Sequence, residues 1–209
     1  MKNIGKKKKG LVLIMGLVIL VGSILTGCSE LHMSAKNLES QLYGLSVEIR
    51  TFDEESRVID KVKGKSVMVE RDTTFDTQSS EGSNKDSSVL EITIGENSMH
   101  HVGSSLIVAE EGLYDLFDEY AKTVDIQNMD RGTPFINSLV NSFKNVTTGK
   151  SKTVLIRSQN GTPLATYVGN HVSIFSVDIP KTTALLVDGQ VLLIYRCDYT
   201  IYDTALLLD

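Results

Sequence analysis

The sequence is poor in cysteine and lacks the short motifs that mark common catalytic and metal sites. Only Cys28 and Cys197 occur in 209 residues. No C-x-x-C pair is present, which excludes a structural zinc site of that type. No G-x-x-x-x-G-K-[ST], H-E-x-x-H or G-x-S-x-G pattern occurs, no G-x-G-x-x-G follows a strand, and S-x-x-K with K-T-G is absent. The sequence therefore identifies no catalytic residue and predicts no cofactor.

The N-terminal segment is basic at first and then apolar. Lys2 and Lys6–Lys9 precede an apolar run from Leu11 to Leu25, and no acidic residue occurs before Glu30. This order is typical of a secretory signal. An uncleaved transmembrane helix is the alternative, since the run is close to the roughly 17 to 25 residues of a span. Both interpretations put the lysines inside the cell and the rest of the chain outside.

The apolar run ends in Leu25-Thr26-Gly27-Cys28, which resembles the lipobox of bacterial lipoproteins. The resemblance implies that the Cys28 thiol receives diacylglycerol and that cleavage after Gly27 makes Cys28 the new N-terminus. Two acyl chains on one residue anchor stably, whereas one chain binds a membrane only marginally. We therefore expect a signal peptide over residues 1–27 and a lipidated N-terminus with a polar tether over residues 28–40. The protein would then lie on the outer face of the cytoplasmic membrane.

Residues 41–209 are expected to form a single extracytoplasmic domain. Five of the 21 basic side chains lie in the signal, so the rest of the chain carries 16 basic against 26 acidic side chains, a formal charge of −10. This balance argues against nucleic acid as a partner, because phosphate binding relies on Lys and Arg. With Cys28 lipidated, Cys197 has no thiol to pair with. Its apolar surroundings predict a buried structural residue.

Alternating and punctuated apolar runs predict about ten strands. Residues 45–51 alternate between apolar and polar side chains, which indicates a half-buried strand. Asn160-Gly161 and Asp188-Gly189 predict hairpins, whereas Lys63–Lys65 and Glu96-Asn97 are read as turns. The polar stretch 71–88 predicts a mobile loop.

One amphipathic helix stands out, beginning near Thr133 and Pro134 and ending at Gly149. The expected fold class is α+β, a mostly antiparallel sheet domain with this one clear helix.

Two motifs in the second half carry a family resemblance. Ser158–Pro163 reads S-Q-x-G-x-P, and Ile179–Gly189 reads I-P-K-T-T-x-L-x-x-D-G. With the surrounding segments they resemble a family of uncharacterised Gram-positive lipoproteins, a domain of unknown function. The resemblance covers most of Leu45–Leu208. It implies the anchor and the export route, and it brings no activity or site residue. The hairpin around Asn160–Pro163 and the segment Asp178–Thr183 are the local features most suspected of a shared role, although turn formation alone explains their Asn, Gly and Pro residues.

The titratable residues give weak candidates only. His100 and His101 are adjacent, so in an extended segment they point to opposite faces and do not chelate one ion. His32 falls in the tether and His171 in a strand. The chain has two acidic groups, one of Asp53, Glu54 and Glu55 and the other of Asp115, Asp118 and Glu119. Neither has the alternating order of ligands found in a calcium loop. Whether two carboxylates of either group form a catalytic pair depends on the fold.

The expected function is that of a membrane-anchored surface lipoprotein, a non-catalytic binding or interaction module for a surface protein or cell-wall component. A cell-envelope hydrolase is one alternative, and it would need a cleft with converging acids or a Ser/His pair. A small solute-binding receptor is the other.

Overall fold

The computed structural model describes residues 31–33, 42–78, 84–122, 133–147 and 149–207. The chain divides between Glu30 and Leu31, and every described residue lies in the second unit, Leu31–Asp209. The predicted signal peptide 1–27 and the lipidation site Cys28 lie outside the described residues.

Strands make up most of the described chain. In chain order they are β1 (Leu31–Met33), β2 (Ser46–Phe52), β3 (Val58–Lys65), β4 (Val67–Arg71), β5 (Thr77–Gln78), β6 (Asn84–Lys85), β7 (Leu90–Ile94), β8 (Asn97–His101), β9 (Ser105–Glu110), β10 (Lys152–Arg157), β11 (Pro163–Gly169), β12 (Val172–Val177), β13 (Thr182–Val187), β14 (Gln190–Tyr195) and β15 (Asp198–Asp203). Three helices are α1 (Leu116–Ala121), α2 (Thr133–Ser142) and α3 (Lys144–Thr147).

The strands form one large sheet and three smaller ones. The seven-stranded sheet has the order β1-β12-β13-β14-β9-β2-β3, and the others are β11-β10-β15, β4-β7-β8 and β5-β6. Among the described strands, β1 and β12 are the parallel pair, and every other pair is antiparallel. The predicted mostly antiparallel α+β fold is confirmed. β1 falls inside the stretch 28–40 that the sequence predicts as a tether.

The central strands β9 and β14 of the seven-stranded sheet are buried on both faces, whereas the edge strand β3 is mostly exposed. Along β9, Leu106 and Val108 face one apolar cluster with the β4-β7-β8 sheet, whereas Ile107 and Ala109 face a second cluster with the β11-β10-β15 sheet. Strand β14 alternates in the same way. Because successive side chains point to opposite faces, both strands are apolar at nearly every position, as expected for strands covered on two sides.

Short helices cover the outer face of the β11-β10-β15 sheet. Leu116 and Phe117 of α1 and Leu139 and Val140 of α2 form a third apolar cluster, into which Leu155 of β10 packs. Helix α2 begins at Thr133, as the sequence predicts, but it ends at Ser142 rather than Gly149, and the short helix α3 follows it. Helix α1 begins where Asp115 accepts a hydrogen bond from the Phe117 amide, which is the usual role of an aspartate N-cap.

Three local predictions are wrong. Lys63–Lys65 lie inside β3 rather than in a turn, and the chain bends at Ser66, whose φ is 54°, before it enters β4 in another sheet. Asn97 begins β8, so the turn before it lies at Gly95 and Glu96. The stretch 71–88 is not a loop throughout: it contains the end of β4, a 3₁₀ turn at Thr73–Phe75 and the short β5-β6 ladder. Both predicted hairpins, at Asn160-Gly161 and Asp188-Gly189, are present.

Candidate functional site

Arg50 of β2 is the centre of a buried polar cluster. It is 4 % exposed, and its Nη2 donates to Asp115 Oδ2 at 2.8 Å and to the Tyr167 hydroxyl at 2.9 Å. Its Nη1 lies 3.2 Å from Asp118 Oδ2 but makes no hydrogen bond of good geometry, so this contact is an ion pair only. The guanidinium also lies 5.5 Å from the centre of the Phe52 ring, within the range of a cation–π contact.

Asp115 connects the elements around this cluster. Its Oδ1 accepts from the backbone amides of Phe117 in α1 and Thr166 in β11, at 3.0 and 2.9 Å, and its Oδ2 is bound to Arg50. Burial raises the pKa of Asp115 although Arg50 opposes the shift, and burial likewise raises the pKa of Tyr167. A carboxylate whose two oxygens accept three hydrogen bonds from its own fold acts here as a structural group that holds β2, β11 and α1 together.

Of the three carboxylates predicted as one acidic group, Asp115 and Asp118 share Arg50 as a partner, and Glu119 binds a different cation. Asp115 binds Arg50 as described, Asp118 is half exposed beside Arg50, and Glu119 accepts from Lys122 Nζ at 2.5 Å. They lie beside a small depression of about 260 Å³ that Glu48 also lines. Although burial opposes the shift, Lys61 and the other nearby cations hold the pKa of Glu48 below its usual value.

The second acidic group forms the turn between β2 and β3. Asp53 accepts from the backbone amides of Glu55 and Arg57 and pairs with the Arg57 guanidinium at 2.6 Å, and Glu55 lies 3.3 Å from the same guanidinium. Asp53 thus stabilises its own turn. The carbonyl of Glu54 accepts from the Asn160 side chain at 2.9 Å, which docks this turn on the β10-β11 hairpin.

The histidines do not converge. His100 Nε2 lies 3.3 Å from Asp72, whereas His101 Nε2 lies 2.9 Å from the Ser104 carbonyl and its ring meets Tyr195 edge-on, so the two rings have different surroundings as predicted. His171 precedes β12 rather than lying in a strand, and its amide donates to Asp188. Across the described ranges, no three His, Cys, Asp or Glu side chains are grouped so that they could hold a metal ion.

The two segments suspected of a shared role meet at Arg196. Arg196 Nη2 donates to Gln159 Oε1 at 3.2 Å, at the tip of the β10-β11 hairpin, and the Arg196 amide donates to the Lys181 carbonyl at 2.9 Å. These contacts bring together the walls of an open cleft of about 780 Å³. We call it the Arg196 cleft. Its lining includes the cations Arg71, Lys181 and Arg196, the carboxylates Asp86 and Asp178, and the residues Gln159, Ile179 and Thr183.

Arg196 also borders a second depression, of about 540 Å³, on the other side of the Gln159 contact. Glu54 and Glu55 of the β2-β3 turn line it. The Arg196–Gln159 pair thus lines both depressions. Charged side chains of both signs line the Arg196 cleft, where Arg71 is paired with Asp86, whereas carboxylates of the β2-β3 turn line the second depression.

The backbone at the Arg196 cleft is unusual. Arg196 has φ 52° and Lys181 has φ 61°, in the left-handed region that favours glycine. The two residues lie at the end of the β13-β14 ladder, one pair beyond Thr182 and Tyr195. Arg196 takes this conformation where the chain leaves β14 and passes to β15 in the β11-β10-β15 sheet. Residues held in left-handed conformations cost free energy and often cluster at functional sites. Arg196 is not apparent as a site residue from the sequence, because the run around it reads as a strand. The one signal in the sequence is the positive charge of Arg196, which interrupts this apolar run.

Cys197 lies beside this cleft and is half-buried. Its Sγ lies 3.2 Å from the Tyr195 carbonyl, and burial raises the pKa of the thiol to about 12. A thiol with such a pKa is protonated at neutral pH and is a poor nucleophile. Its packing against the second apolar cluster agrees with the predicted structural role.

Within the described ranges, none of the helices has the length and apolar character needed to cross a bilayer. No curated protein and no solved structure matches this chain. One family model does match, over residues 7–207, and it is described as a domain of unknown function, DUF5052. Because this match covers nearly the whole chain, the protein belongs to the DUF5052 family.

Proposed function

We propose that this protein is a Gram-positive bacterial lipoprotein, held on the outer face of the cytoplasmic membrane by diacylglycerol on Cys28. The support is the order of the N-terminal sequence. Basic Lys6–Lys9 come first, the apolar run from Leu11 to Leu25 follows, and the small residues Thr26 and Gly27 stand directly before the thiol. Residues 1–27 would be removed, and the domain would remain outside the cell.

Labelling with an alkyne analogue of palmitate tests the anchor in a Gram-positive host that expresses the full chain. The wild-type protein should incorporate the label, and Cys28→Ala should lose it. Cys197→Ala is the matched control, because it removes the chain's other thiol and should leave the label unchanged. Label retained in Cys28→Ala would refute lipidation at this residue.

We further propose that the anchored domain is a non-catalytic binding module for a surface protein or cell-wall component. The observation that carries this proposal is the Arg196 cleft, where the Ser158–Pro163 hairpin and the Ile179–Thr183 segment meet. An open cleft with a few polar groups between two sheets is a common form of binding site. Both oxygens of the buried Asp115 carboxylate, by contrast, accept hydrogen bonds from Arg50 and two backbone amides. This argues against acid–base catalysis by the Arg50 cluster and favours a binding role for the protein.

Photo-crosslinking in intact cells tests the binding role. A photoreactive residue replaces Thr183 in the cleft, and a second version replaces Leu206, which is 65 % exposed and is not among the cleft-lining residues. We expect one dominant crosslinked product from position 183, none from position 206, and loss of the product in Cys28→Ala. The same product from both positions, or none from abundant anchored protein, would refute a partner bound at the cleft.

A further inference from the structure

Arg196 has a guanidinium donor that the described part of the chain does not satisfy. Its Nε is buried and has no hydrogen-bond partner among the described residues, while Nη2 is bound to the neutral amide oxygen of Gln159. Buried polar groups are nearly always hydrogen-bonded, and an unmet donor costs free energy. This donor therefore stands to gain from an acceptor that the folded chain itself does not supply.

The charge of Arg196 is also uncompensated. Of the five described arginines, Arg50, Arg57 and Arg71 have carboxylates within 4 Å. Arg157 donates to two hydroxyl groups on β15. Arg196 has no carboxylate within that distance in the described residues, and neither has Lys181, which lies across the ladder from it. Asp86 and Asp178 also line the cleft, and Asp86 is paired with Arg71. Arg196 and Lys181 nevertheless have no carboxylate within 4 Å among the described residues, and these two cations favour an anionic group beside them.

The two donors of Arg196 have the geometry of a fork. In a guanidinium, Nε–H and Nη2–H lie on the same edge and point in parallel, which matches the two oxygens of a carboxylate or a phosphate. Gln159 offers only one carbonyl oxygen and satisfies one of the two donors. Its side chain is exposed at the hairpin tip, so it is free to swing away.

From these contacts we infer that the Arg196 cleft binds an oxyanion, a carboxylate or phosphate group of the partner, through Nε and Nη2 of Arg196. The ligand displaces Gln159, whose amide holds the place of the oxyanion in the free protein. Lys181 adds a second positive charge from the opposite strand. This inference rests on the proposed function, because it names the chemistry that the cleft recognises.

Nitrogen NMR of the full-length protein in detergent micelles, labelled with ¹⁵N-arginine, tests the inference. The probes are inorganic phosphate and acetate, each titrated at constant ionic strength. The Arg196 Nε–H signal, identified by its absence from Arg196→Lys, should shift with saturation. A response to phosphate indicates a phosphate-bearing partner, and a response to acetate indicates a carboxylate-bearing one. Either response supports the inference.

Two substitutions of Gln159 sharpen the test. Gln159→Glu places a carboxylate on the fork, so the Arg196 signal should already lie near its bound position and the affinity for the probe should fall about ten-fold or more. Gln159→Ala removes the competing amide and should retain or strengthen binding. Lys181→Gln should weaken binding, whereas Lys65→Gln, an exposed lysine in β3, is the matched control and should have no effect.

No shift with either probe would overturn the inference, and so would an unsaturable shift shared with Arg57 and Arg157. The outcome is distinguishable from failure of the proposed function. A Thr183 crosslink that persists unchanged in Arg196→Lys would keep the binding module and reject the oxyanion. A saturable shift without any crosslink would keep the anion site and reject the macromolecular partner.

Discussion

Removing the Arg50 guanidinium should strongly destabilise the protein. Arg50→Met keeps the length of the side chain but leaves the Asp115 carboxylate buried without its cation. The lost contacts are the 2.8 Å bond to Asp115 and the 2.9 Å bond to Tyr167. Removing one partner of a buried ion pair costs about 3 to 5 kcal/mol. Because two backbone amides still bind Asp115, we expect the lower end of that range, about 3 kcal/mol, in the free energy of unfolding.

Urea unfolding followed by far-ultraviolet circular dichroism measures this loss. Arg57→Met is the matched control, since its ion pair with Asp53 is exposed and its removal should leave the unfolding midpoint unchanged. The deficit of Arg50→Met should also depend on pH, because Arg50 opposes the rise in the pKa of Asp115 and the variant lacks that opposition.

The sign of the pH effect follows from proton linkage. A carboxyl whose pKa is raised by folding holds its proton more tightly in the folded state. Stability therefore falls as the pH rises from the ordinary value of 3.8 through the folded value. The deficit of Arg50→Met should be smallest near that ordinary value and should grow toward neutral pH. A deficit below about 1 kcal/mol, or one that does not change with pH, would refute the view of Arg50 and Asp115 as a buried structural pair.

Two further predictions concern packing and the remaining thiol. Gly64→Ala should lower the free energy of unfolding by about 1 to 3 kcal/mol, because a Cβ there overlaps Cγ2 of Ile94. Ile94→Leu removes that methyl group, so the double variant should recover part of the loss in urea unfolding. No recovery would contradict the overlap. In a Cys28→Ala background, Cys197 should react slowly with iodoacetamide in the folded protein and rapidly in urea, and equal reaction rates in both states would contradict this. The free energy of unfolding should also fall as the pH rises from 9 toward 12, because the thiol ionises at a lower pH in the unfolded chain than in the folded protein.

The sequence patterns predict the strands, hairpins and helix that form because of interactions between neighbouring residues. The alternation along residues 45–51 predicts β2, and Asn160-Gly161 and Asp188-Gly189 predict their hairpins, because turn type and pleat depend on neighbouring residues. The apolar spacing from Phe135 to Phe143 similarly predicts a helix, which in the structure ends at Ser142.

The wrong or missing predictions concern features that depend on contacts with residues distant in the sequence. Gly64 reads as a turn residue, but it is glycine because Ile94 packs against the strand at that point. Asp115 reads as one of several solvated acids, and nothing in the sequence indicates that it binds Arg50, which lies 65 positions earlier. The meeting of Gln159 with Arg196 was likewise invisible, since it depends on how two hairpins from different sheets pack together.

The position of β9 in the seven-stranded sheet has a consequence for the order of folding. One neighbour, β2, precedes it in the chain, but the other, β14, comes only after the helices and β10–β13, and there Leu193 lies opposite Val108. Until β14 exists, β9 has an open edge and apolar side chains on both faces, which is a template for aggregation. Pairings between such distant segments form slowly. The sheet therefore closes only after β14 has been made, and the incomplete chain has to be kept from associating until then.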